Sequence, residues 1–98
     1  MIIIERAVVG RKTPGDGKLE VSAQLALALG GDGSVLQVHI AERKAEGTVV
    51  IMPCTCAKAG ISGKHEHHFV QCDDFRTLPV GSGLRLEGAP AELRISPA

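Results

Sequence analysis

An all-β fold, a small single-domain sandwich or barrel of about seven short and mostly antiparallel strands, is predicted by three features of the sequence. Apolar residues recur with period two in several segments, clusters of Gly, Pro and Asp interrupt them at short intervals, and no stretch of ten or more residues sustains a 3.6-residue period. With 98 residues the chain has room for one domain over 1–98, and a core of that size gains usefully from a metal clip. The core is expected to be aliphatic, because Phe69 and Phe75 are the only Phe, Tyr or Trp residues in the sequence.

Taken in order, residues 2–10 open with an apolar run and predict a first strand, closed by the turn residues Thr13-Pro14-Gly15-Asp16-Gly17. In 19–29 the order Leu19, Val21, Ala23, Leu25, Leu27, Leu29 alternates with Glu20, Ser22, Gln24, Ala26 and Ala28. A strand puts all six of the first set on one face, whereas a helix scatters them, so a strand is expected. Gly30-Gly31-Asp32-Gly33 then reads as a hairpin turn into 36–40, where Leu36, Val38 and Ile40 alternate with Gln37 and His39. Further strands are expected over 48–56, 65–72, 83–87 and 92–95, while 41–46 and 73–78 have room for one helical turn each.

The chemistry is concentrated in one stretch. Cys54-Thr55-Cys56 is followed by His65-Glu66-His67-His68 and Cys72, a group holding every cysteine and three of the four histidines of the chain. Thiolate and imidazole are the ligands Zn²⁺ prefers, so the stretch 48–72 predicts a metal-binding hairpin. Placing Cys56 opposite His65 sets Cys54 opposite His67, and strand parity then turns all four side chains to one face. Cys54, Cys56, His65 and His67 are therefore the expected ligands, with His68 and Cys72 as reserves. The same register sets Met52 opposite Phe69 as an apolar floor and turns Cys72 away as a buried thiol. Zn²⁺ is the expected ion, and Cu⁺ is the alternative that a soft thiolate pair also suits.

The Cys54-Thr55-Cys56 opening resembles a SWIM zinc finger, but the later Cys-x-His of that pattern falls on Cys72 and Asp74 and is not completed. His65-Glu66-His67 after Gly63 resembles the first motif of a cupin, which implies a small metal-dependent enzyme; the second motif would need a histidine where Leu84 stands. No nucleotide loop or serine-nucleophile elbow is present, since the glycine clusters at 30–33 and 81–83 lead into no helix in this reading. No catalytic residue is assigned.

Eleven basic and eleven acidic residues balance to zero formal charge, which removes the long-range field that draws nucleic acid or an anionic membrane. No run approaches the roughly 20 apolar residues of a membrane span, and Glu5 and Arg6 cut the apolar start too short for a signal-peptide core. A soluble, cytoplasmic protein with reduced thiols is expected, a description that a virion component would also meet. The expected function is a non-enzymatic module with a structural zinc site that binds a protein partner or itself through an edge strand, 2–9 being the candidate edge. A zinc or copper sensor or carrier is the first alternative, and a cupin-like enzyme the second.

Overall fold

The computed structural model describes residues 2–54 and 65–98. Among the described residues seven strands form one mixed sheet nearly closed into a barrel, as the alternation predicts. They are β1 (Ile3–Val8), β2 (Lys18–Val21), β3 (Val35–Ile40), β4 (Arg43–Cys54), β5 (His65–Gln71), β6 (Gly83–Ala89) and β7 (Glu92–Pro97). Two short helices, α1 (Lys12–Asp16) and α2 (Ala23–Ala28), flank β2, and a 3₁₀ turn covers Asp73–Thr77. The strand order is β1-β6-β7-β3-β4-β5-β2, with every neighbouring pair antiparallel except β3 and β7. Among the described residues no helix is long and apolar enough to cross a membrane.

Alternation does the packing. Leu84 and Leu86 of β6, Leu93 and Ile95 of β7, Leu36 and Val38 of β3, Val49 of β4, Val70 of β5, and Leu19 and Val21 of β2 are all buried in one core. Phe75, brought in by the 3₁₀ turn, joins them with no exposed surface. The outer edges of the sheet, β1 and β2, are joined across the seam by Glu5, whose carboxylate accepts from the backbone N–H and the hydroxyl of Ser22.

The segment 19–29 departs from the expected strand and hairpin. It is extended only through Val21; Ser22 then caps α2, its backbone at φ −71° and ψ 159° and its hydroxyl accepting from the Leu25 N–H. Ala, Leu and Gln are strong helix formers, and helical spacing brings Leu25, Ala26 and Leu29 together in the core while Leu27 turns outward. Gly30 and Gly31 end this helix: the Gly31 N–H reaches the Ala26 carbonyl and the Gly30 N–H that of Leu27, with both glycines at positive φ. The cluster taken for a hairpin turn is a helix stop, and β3 pairs with β4 and β7 instead of β2. Leu25 enters the barrel against Gly88, where a Cβ would come within 2.1 Å of the leucine Cδ1.

Two smaller departures follow from turn chemistry. Residues 41–46 form no helical turn; Ala41, at φ 54°, and Glu42 make a two-residue connection, so β4 starts at Arg43 opposite Ile40. Residues 12–16, expected as a turn, coil into α1, which Gly17 closes in the left-handed region at φ 69°.

Candidate metal centre

β4 and β5 are antiparallel neighbours, and β2 lies on the far side of β5. Their pairing sets Cys54 opposite His65 and Met52 opposite His67, two residues away from the expected register. Pairing stops at Thr48 opposite Gln71, because at Cys72 the chain leaves the ladder for the 3₁₀ turn that buries Phe75. The Cys72 N–H donates instead to the Gly17 carbonyl at 2.8 Å. A slip of two residues preserves parity, so Cys54, His65 and His67 still share the outer face while Val49 and Val70 face the core. Met52 loses its expected place opposite Phe69 to Val50.

One ligand atom from each of Cys54, His65 and His67 lies within 4.8 Å of the others, and all three residues are half-buried. The two imidazole Nε2 atoms are 3.1 Å apart. Two nitrogens bound tetrahedrally to one Zn²⁺ lie about 3.3 Å apart, and a sulfur and a nitrogen about 3.6 Å apart, from the usual bond lengths. These separations are near what one ion requires, so Cys54, His65 and His67 could hold a metal ion after small side-chain adjustments. Cys56, the fourth expected ligand, lies outside the described residues.

The other candidates sit elsewhere. His68 is opposite Ile51 on β4 and Val21 on β2, on the face away from the cluster. Cys72 is 3% exposed and belongs to the core. Burial pushes the pKa of its thiol up, an effect partly offset by a backbone hydrogen bond at Asp74. His39, at a polar position of the alternating β3, has only 13% of its side chain exposed and lies 3.4 Å from the Glu92 carboxylate of β7.

Beneath the cluster the outer face is unusually well covered. The Phe69 ring stacks on His67 at 6.1 Å between centroids, and the Lys12 and Lys18 ammonium groups stand 5.3 and 5.9 Å from its centre. Lysine stems and the His67 ring thus bury a phenylalanine, 3% exposed, on the outside of the barrel. The Lys18 ammonium also lies 3.7 Å from the Met52 sulfur. A further residue, absent from the sequence reading, completes the arrangement: Glu20 of β2 places a carboxylate oxygen 2.9 Å from His67 Nδ1. Forty-seven residues separate the pair, so no local motif joins them. Only the pairing of β2 with β5, which sets Glu20 opposite Phe69, brings them together. Compared with protein-family models, curated proteins and solved structures, the chain shows no match.

Proposed function

We propose that this chain is a non-enzymatic β-barrel module in which Zn²⁺, bound by Cys54, His65 and His67, staples the β4–β5 hairpin, and that it serves as an interaction or assembly subunit. The carrying observation is that a sulfur and two imidazole donors from one sheet face come within 4.8 Å of one another. A mixed nitrogen and sulfur set suits zinc better than hard cations, and Cys56, two residues beyond Cys54 in the sequence, is the candidate fourth ligand. Four protein ligands make a closed, structural site. Self-association is assigned to β1, an edge strand of the sheet whose Ile4 and Val8 remain 55% and 71% exposed.

Elemental analysis of protein purified without added metal, paired with thermal unfolding before and after chelation, tests the zinc reading. About one equivalent of zinc is expected. At a free zinc concentration about a thousand times Kd the ion adds about 4 kcal/mol to stability, an increment that His65→Ala removes. Absence of bound zinc together with unchanged unfolding on zinc addition would refute the reading.

A sensor or carrier is the second reading, and one observation favours it. The core packs on the opposite face of β4 and β5, so the barrel has its apolar support without an ion. A carrier surrenders zinc to a mild chelator while staying folded, whereas a stapled hairpin resists or loosens.

A further inference from the structure

Resting on the metal reading above, we infer that Glu20 is the positioning residue of the centre: it selects the tautomer of His67 that binds the ion, and through it the metal holds edge strand β2 as well as the β4–β5 hairpin. Glu20 Oε2 lies 2.9 Å from His67 Nδ1. A carboxylate offers only acceptors, so the ring donates its Nδ1 proton and, when neutral, presents a lone pair at Nε2, which accepts from His65 Nε2 until an ion takes its place. That Nε2 is the atom 3.1 Å from the His65 Nε2, inside the donor cluster. The histidine that faces the ion is thus already set in the coordinating tautomer before metal arrives.

The surroundings keep the ring in this pose. Phe69 stacks beneath it with an interplanar angle of 27°, and only 13% of the His67 side chain is exposed. Carboxylate, imidazole and metal in line is an arrangement that raises ligand basicity as well as fixing orientation. Its structural consequence here comes from the strand order. Cys54 lies on β4, both histidines on β5 and Glu20 on β2, so donors and support span three adjacent strands ending at the seam. β2 is only four residues long and, among the described residues, has β5 as its one strand neighbour, so an added tie to a fixed imidazole restrains an edge of the sheet.

Zinc competition titration on the full chain with a chromophoric chelator, alongside Glu20→Ala and Glu20→Gln, provides the test. Glu20→Ala is expected to weaken zinc binding about 10- to 100-fold, and Glu20→Gln, whose amide oxygen still accepts from Nδ1, by less. Imidazole ¹⁵N spectra should report His67 as Nδ1-protonated in the wild type and as a tautomer mixture in Glu20→Ala. Zinc should slow amide exchange in Lys18–Val21 of the wild type and leave it unchanged in Glu20→Ala. Wild-type protein that takes up no zinc would overturn both readings. Zinc binding of equal strength in wild type and a folded Glu20→Ala would overturn the role of Glu20 alone.

Discussion

The two faces of the β4–β5 hairpin use the same residue types in opposite ways. On the inner face Cys72, just past β5, behaves as a small apolar side chain among Val49, Val70 and Phe75, and its thiol is harder to ionise there than in water. On the outer face Cys54 stands with two imidazoles, half-buried over a surface floored by a stacked phenylalanine. A cysteine is therefore a core residue or a candidate ligand according to which face of one strand pair it occupies. Without an ion, the packing of one face is expected to be largely independent of the other, since the core lies on the side of β4 and β5 opposite the cluster.

The contrast breaks first, and most strongly, on the inner face. Leu19→Ala removes a side chain that is 1% exposed, and is expected to lower stability by about 2–5 kcal/mol in urea unfolding, with chelator or with zinc present. In the same assay Cys54→Ser should change the metal-free protein by no more than about 0.5 kcal/mol while abolishing its response to zinc. Equal losses for the two variants in chelator would show that the faces are not independent.

A smaller effect sharpens the difference between the two thiols. Because burial raises the Cys72 thiol, the folded chain retains a proton that the unfolded chain loses first. Stability from this group is complete below the unfolded thiol pKa, about 8.5, and declines as pH rises toward the folded value. Urea midpoints measured from pH 7 to pH 10 should therefore fall less steeply for Cys72→Ala than for wild type. The smallest expected change in stability is that of Ile4→Lys, within about 0.5 kcal/mol because the residue is exposed. If β1 is the self-association edge proposed above, light scattering should show the wild type assembling at high concentration and this variant remaining a monomer.

Strand faces were legible in the sequence, and partners were not. Leu36, Val38, Leu84, Leu86, Leu93 and Ile95 are buried as their alternation requires, because period two depends only on which side of a strand is dry. The register of Cys54 and His65 escaped the same logic, since a two-residue slip changes the partner and leaves every side chain on its face. Segment 19–29 misled for a different reason. Leu25 and Leu29 fit either period, and the decision lay with Ser22 as a helix cap and Gly30-Gly31 as a helix stop, chemistry that alternation does not register. Glu20 was invisible because its role depends on a strand pairing between distant parts of the chain.

The place of β7 carries a consequence for how the molecule is made. Among the described strands it comes last in sequence, yet it lies between β3 and β6 and supplies the one parallel junction among them. During translation β1 through β5 emerge while the strand that must bridge β3 to the β1–β6 pair has yet to be synthesised, so the sheet cannot zip progressively from one end. Closing the sheet between β3 and β6 therefore depends on pairings of long sequence separation, a topology that slows folding relative to locally paired strands.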